Sequence, residues 1–283
     1  MWCRTAISSN FCSMYKAKTP RSGPRHESQS GGAGALALPG ANENPKERTI
    51  MMENEKKTVG VMGAMPEEIR LLHQRMTDRG EETAAGVTFY TGVLAGRRAV
   101  LCCAGMGKVN AACGAQLLIA KFGADALIFS GIAGNMTDKI GVGDVVIGKT
   151  LLYHDAERRM IAESWPHLQE FQGDPAMIAA AEAACGEAGV KYLVGKIATG
   201  DDFVGDSATK NAIAAKCAPD CVEMEGAAVA HVAAKYEVPC VVLRAMSDNA
   251  DEKAYDTLVD KPFDISEYCA TAARICEGLI CRL

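Results

Sequence analysis

The chain has 283 residues, of which 48% are apolar and 23% charged, with a formal net charge of -5. That is the balance of a globular protein able to bury a sizeable core, and its acidity excludes a surface built to replace phosphate counterions along a nucleic acid. No apolar run reaches the length of about 18 residues that a membrane-spanning helix needs, so no membrane partner is expected.

Residues 1–57 are dominated by Ser, Gly, Pro and Asn and have no sustained apolar period, which predicts a disordered N-terminal extension. Arg4, Lys16, Lys18, Arg21 and Arg25 against the single acid Glu27 give its first forty residues a faint likeness to an organelle transit peptide. A translation start at Met51 or Met52, just ahead of the first regular element, is at least as good a reading. The secretory pattern of a long apolar stretch near the N-terminus is missing.

From Thr58 short apolar strands alternate with helical stretches, which predicts one α/β domain over 58–283 with a central mixed, largely parallel twisted sheet flanked by helices. Strands are expected at 58–62, 87–94, 98–103, 126–129, 144–147, 192–198, 221–222 and 240–245. Helices are expected at 67–76, 109–122, 175–188, 208–216, 227–236 and 264–280.

Twelve cysteines are scattered along the chain, most of them within apolar runs such as Val100-Leu101-Cys102-Cys103. They form no CxxC pair and join none of the five histidines at zinc-site spacing, so no metal site is expected. Thiols used as small hydrophobes belong to a reducing compartment, which predicts a cytoplasmic protein.

Ligands of such sheets bind beyond the carboxyl ends of strands. That rule selects Gly63-Ala64-Met65-Pro66-Glu67-Glu68, Ser130-Gly131-Ile132-Ala133-Gly134-Asn135, Val222-Glu223-Met224-Glu225-Gly226, Arg244-Ala245-Met246-Ser247-Asp248-Asn249 and Ala198-Thr199-Gly200-Asp201-Asp202-Phe203-Val204. Each has a local structural explanation. Pro66 with two acids reads as a helix start, since Pro suits the first turn and acids complement the dipole. The glycines after Ser130 match no nucleotide-phosphate motif. Ala104-Gly105-Met106-Gly107-Lys108-Val109-Asn110 turns into a helix and either holds a substrate oxygen or only reverses the chain. Glu223, Glu225 and Asp248 adjoin apolar strands, and a structural ion pair with Arg244 accounts for one of them as well as catalysis does.

Taken together the motifs say more. Gly63-Ala64-Met65 with Glu67-Glu68, Gly105-Met106-Gly107-Lys108-Val109, Tyr153-His154-Asp155-Ala156, Gly200-Asp201 with Phe203, Val222-Glu223-Met224-Glu225 and Arg244-Ala245-Met246-Ser247-Asp248 stand in order. In that order and spacing the chain resembles the 5'-methylthioadenosine/S-adenosylhomocysteine nucleosidases, of the nucleoside phosphorylase/nucleosidase superfamily, from Thr58 to the C-terminus and nowhere before it.

The resemblance implies an enzyme that uses water to release adenine from a thioadenosine nucleoside, with no metal, cofactor or phosphate, and that works as a homodimer. It implies that Glu68 activates the water and that Asp248, with Ser247 beside it, protonates the purine. Glu225 would hold the ribose hydroxyls, Met224 would pack on the sugar, and Met65 would belong to the same substrate site. Phe203 would stack on adenine and the backbone of Val204 would read the purine edge. Arg244 would position Glu225, and Glu223 would share its loop.

The chemistry fits these residue types. Breaking the bond from the sugar C1' to the purine N9 builds a cationic sugar and an anionic base, so a proton must arrive on one side while a nucleophile arrives on the other. Asp248 must then hold its proton well above the usual range of about 3.9, and Glu68 must be at least partly ionised.

The sequence departs from the family pattern at Ala104, where a hydroxyl residue is common, at Pro66, and from Glu157 to His167. That last stretch is where the family shapes the pocket for the 5' substituent, so the preferred substituent stays open. The readings in competition are a futalosine or aminofutalosine hydrolase, a purine nucleoside phosphorylase, and a non-catalytic nucleoside-binding protein. Two acids and no arginine before Arg70 in the first loop disfavour a phosphate co-substrate.

Overall fold

The computed structural model describes residues 57–255 and 265–283, all within one compact unit. The reading of the N-terminal extension therefore lies, but for Lys57, outside the described residues, as does Asp264 at the start of the last expected helix.

In chain order the elements are β1 (Thr58–Gly63), α1 (Pro66–Arg75), β2 (Thr77–Ala84), β3 (Val87–Leu94), β4 (Arg97–Cys103), α2 (Lys108–Ala120) and β5 (Ala124–Asn135). There follow β6 (Val145–Tyr153), α3 (Arg158–Ile161), β7 (Phe171–Gln172), α4 (Pro175–Ala188), β8 (Tyr192–Thr199) and α5 (Ser207–Cys217). The chain ends with β9 (Cys221–Glu223), α6 (Gly226–Tyr236), β10 (Cys240–Asp248), α7 (Glu252–Tyr255) and α8 (Ser266–Ile280).

All ten strands join one mixed sheet, as the alternation of strands and helices predicts. β1 runs parallel to both β4 and β5, and every one of its residues is buried, which is why TVGVMG reads as a continuous apolar run. β5 runs parallel to β10, β10 antiparallel to β6, β6 parallel to β8, and β8 parallel to β9. Gly134 and Asn135 at the end of β5 then pair with β9, which closes these five strands into a circuit.

Alternate residues feed opposite faces. Val59, Val61, Ile128, Val241 and Leu243 pack with Leu72 of α1, Met177 of α4 and Leu279 of α8. Met62, Phe129 and Val242 pack with Leu118 of α2 and Ala228 of α6 on the other side. With both faces covered, each of these side chains larger than alanine contributes about 1.5–3 kcal/mol of burial.

Two expectations need correction. β2, TDRGEETA, is exposed along nearly its whole length and has no apolar alternation; its pairing with β3 makes it a strand. Residues 130–135 and 246–248 are not loops beyond their strands but the last residues of β5 and β10. Their Gly, Ser, Asn and Asp read as strand breakers, yet the circuit supplies backbone partners to the end of both strands. No described helix is long and apolar enough to cross a membrane.

Candidate active site

The circuit, with β1 beside β5, brings the carboxyl ends of β1, β5, β9 and β10 around one cavity of about 520 Å³. β1 delivers Glu68 through α1. Pro66 occupies the first turn, as the local reading held, and places Glu68 where its side chain can fold back over the helix start. Glu68 Oε2 accepts the N–H groups of Ala64 at 2.6 Å and Met65 at 3.0 Å, and Oε1 accepts that of Ile132 at 3.1 Å. Glu68 is thus both a helix-start acid and a cavity wall.

β10 delivers Arg244, Ser247 and Asp248. The pairing of β10 with β5 shifts register between Met246 and Asp248, and Arg244, Ser247 and Asp248 all line the cavity. Ser247 Oγ donates to Asp248 Oδ2 at 2.7 Å, and the N–H of Ala250 donates to Oδ1 at 2.7 Å. No described cation forms an ion pair with Asp248.

Arg244 is 1% exposed and its guanidinium lies 4.2 Å from the centre of the Phe129 ring. It donates to Glu223 and, at 3.2 Å, to Glu225. The two readings weighed for Arg244 are therefore both present in one side chain, which makes a structural ion pair and lines the cavity. Glu223 also accepts the Thr199 hydroxyl and the N–H groups of Glu225, at 3.1 Å, and Gly226, at 2.7 Å. Its oxygens are saturated, which makes it a holder of Arg244 and of the start of α6. Glu225 is freer: besides Arg244 it accepts the Gly107 N–H at 2.8 Å.

Gly131 shows how tightly this is packed. A Cβ there would lie 2.3 Å from both Glu68 Oε1 and Arg244 Nη1, so only glycine lets the two groups meet over β5.

All ten residues singled out in the sequence line this cavity: Met65, Glu68, Phe203, Val204, Glu223, Met224, Glu225, Arg244, Ser247 and Asp248. Met106, Ile132, Gly134, Asp202 and Ile265 line it too and were not among them. Ile132 and Gly134 sit in the glycine segment after Ser130, Asp202 beside Phe203 and Met106 in the turn before α2, where apolar residues carry no chemical signal in the sequence. None of residues 157–167 lines the cavity of this single chain.

The match to a family model settles the kinship. The model of the phosphorylase superfamily covers residues 58–281. This chain belongs to the phosphorylase superfamily. Among superfamily members, the 5'-methylthioadenosine/S-adenosylhomocysteine nucleosidase of Shewanella sediminis is 36% identical over 220 residues, covering 76% of this chain and 93% of that one. The Neisseria meningitidis nucleosidase of the same name, solved in complex with methylthio-immucillin-A, has a TM-score of 0.74 and 35% identity, covering 80% of this chain and 100% of that one. A futalosine hydrolase mutant of Helicobacter pylori has a TM-score of 0.72 and 28% identity, with coverages of 80% and 100%.

For this superfamily member the electrostatics follow from burial. Burial raises the pKa of Glu68, while Arg244 and the three backbone donors pull it down. Burial also raises Asp248, opposed by Ser247 and the Ala250 N–H. Glu225 is pushed up to about 7, by burial first and by the neighbouring Glu223 against the pull of Arg244. One guanidinium thus faces three carboxylates, and a proton at this end of the cavity is shared among groups that compete for it.

Proposed function

We infer that this chain hydrolyses the N-glycosidic bond of 5'-methylthioadenosine and S-adenosylhomocysteine, releasing adenine, with Glu68 activating water and Asp248 protonating the purine. The observation that carries the reading is the pair of buried carboxylates on one cavity with unlike surroundings. Burial raises the pKa of Glu68 on balance, but three N–H donors and a nearby guanidinium oppose that rise and favour the ionised form a base needs. Burial without an ion pair favours a protonated Asp248, the form an acid needs. The relatives' common name, nucleosidase, fits an N-glycosyl hydrolase.

The reaction then runs as follows. Phe203 and the Val204 backbone hold the base, Met65 and Met224 enclose the sugar, and Glu225 receives the ribose hydroxyls. As the bond to the sugar C1' lengthens, the Asp248 proton moves to N7 of the purine and the leaving group departs neutral. Glu68 takes a proton from the water that attacks the opposite face of the cationic sugar. The negative charge of Glu225 stabilises that cation. Arg244 holds Glu225 and is itself neutralised by Glu223 and Glu225, which leaves no free positive charge for a phosphate co-substrate among the described cavity residues.

A homodimer and a cytoplasmic location belong to the same reading. Exposed Met106, Val109, Met160 and Trp165 are apolar surface that a second copy would cover, and the ten described cysteines are free thiols. Light scattering at micromolar concentration checks the dimer.

A second reading, hydrolysis of futalosine or aminofutalosine, is favoured by the Helicobacter pylori neighbour. Purified chain is incubated without phosphate with 5'-methylthioadenosine, S-adenosylhomocysteine, futalosine and aminofutalosine, and the free base is measured. Faster release from the two thioadenosine nucleosides supports the first reading, and faster release from either futalosine the second. Strict phosphate dependence would make it a phosphorylase, and binding without release a nucleoside-binding protein.

A further inference from the structure

The turn before α2 and the loop after β8 are joined by charged groups that stand outside the cavity lining. Lys108 is the first residue of α2, where a cation faces the positive end of the helix dipole and is ordinarily disfavoured. Its Nζ donates to Asp155 Oδ2 at 2.6 Å and lies 3.3 Å from Asp201 Oδ2. Its backbone N–H donates to Asp201 Oδ1 at 2.8 Å, so Asp201 caps α2 from a distant segment. The N–H of Asp201 returns to Asp155 Oδ2 at 2.9 Å, which closes a ring of contacts through three separate segments.

Two of these segments lead straight into the cavity. Asp202, Phe203 and Val204 follow Asp201 and line it. Gly107 precedes Lys108, and its N–H holds Glu225. Gly107 has φ +92°, and a Cβ on it would lie 3.2 Å from Asp201 Oδ1, so the turn and the loop also touch directly.

We propose that Lys108 is a positioning residue that sets substrate affinity: with Asp155 and Asp201 it locks the loop bearing Phe203 and Val204 to the turn that holds Glu225. The proposal rests on the nucleosidase reading for its effect on affinity, but not for the lock itself. Glu68 and Asp248 are delivered by α1 and β10 and do not depend on the bridge. Loss of Lys108 leaves Asp155 and Asp201 as two adjoining anions with no cation between them, and their repulsion opens the loop. Substrate binding weakens more than chemistry slows.

The test uses the full chain as Lys108→Met, Lys108→Arg and Asp201→Asn, with steady-state kinetics on 5'-methylthioadenosine and amide hydrogen exchange without ligand. Lys108→Met is expected to raise KM about tenfold or more with kcat changed less than about threefold, and Lys108→Arg to recover most of the loss. Exchange at Gly107 and residues 201–204 is expected to speed up about tenfold while β1 and β10 stay protected. An unchanged KM in an active enzyme, unchanged exchange in 201–204, or faster exchange throughout the sheet overturns the proposal. If the unaltered chain cleaves no purine nucleoside, the nucleosidase reading falls with the claim on affinity. Faster exchange confined to the loop would then still uphold the lock, and unchanged exchange would refute it.

Discussion

The Glu68 corner of the cavity surrounds its carboxylate with three backbone N–H donors and a guanidinium beyond Gly131, whereas the Asp248 corner offers one hydroxyl and one N–H. Both groups are buried, and burial alone would protonate both. What separates them is the number and charge of the donors each keeps. Under the proposed reading, the fold assigns base and acid roles to the two carboxylates by rationing hydrogen bonds between them.

The comparison breaks most completely when one carboxylate loses its charge chemistry. Asp248→Asn and Glu68→Gln are each expected to lower kcat on the order of 10³-fold, with adenine binding retained in a calorimetric titration. Gly131→Ala tests the packing between the two corners' shared neighbours. Its Cβ displaces Glu68 and Arg244, so kcat/KM is expected to fall about a hundredfold and stability by about 1–3 kcal/mol, read in kinetics and urea unfolding.

Glu225 sharpens the comparison through stability. Its folded pKa is raised, from the ordinary carboxylate range to about 7, so between these values the folded state binds more protons than the unfolded one. Stability contributed by this group is therefore lost as pH rises through that window. Glu225→Gln cannot ionise, and its Tm relative to the unaltered chain is expected to climb from about pH 5 to about pH 7 and then level off. The smallest effect belongs to Ser247→Ala. The hydroxyl donates to the ionised form of Asp248, so its loss raises the Asp248 pKa further and moves the alkaline limb of kcat/KM to higher pH, with activity down about tenfold.

Much of this contrast was legible in the residues. The strand and helix pattern gave the layer order because apolar runs such as Val241-Val242-Leu243 have to be covered on both faces. The ten residues that the ordered motifs mark, and no single motif would, all line the cavity, while neighbours such as Met106 and Ile132 carry no such mark. The closure of the sheet was not legible. Ser130, Gly131 and Asp248 look like places where a strand ends, and only the long-range pairing of β5 with β9 and β10 makes them strand. Arg244 could not be assigned either to structure or to the site, since its two acidic partners lie about twenty residues away in the chain and their distances depend on the fold. β2 was missed because its partner, and not its own composition, makes it a strand.

The division of labour between the two carboxylates is tested most directly with a leaving group that needs no proton. A 5-methylthioribosyl p-nitrophenyl glycoside is given to the unaltered chain, to Asp248→Asn and to Glu68→Gln, and p-nitrophenolate release is followed. Asp248→Asn is expected to cleave it at nearly the unaltered rate while Glu68→Gln remains slow. Equal losses in the two variants, or recovery in Glu68→Gln alone, would contradict the assignment of acid and base.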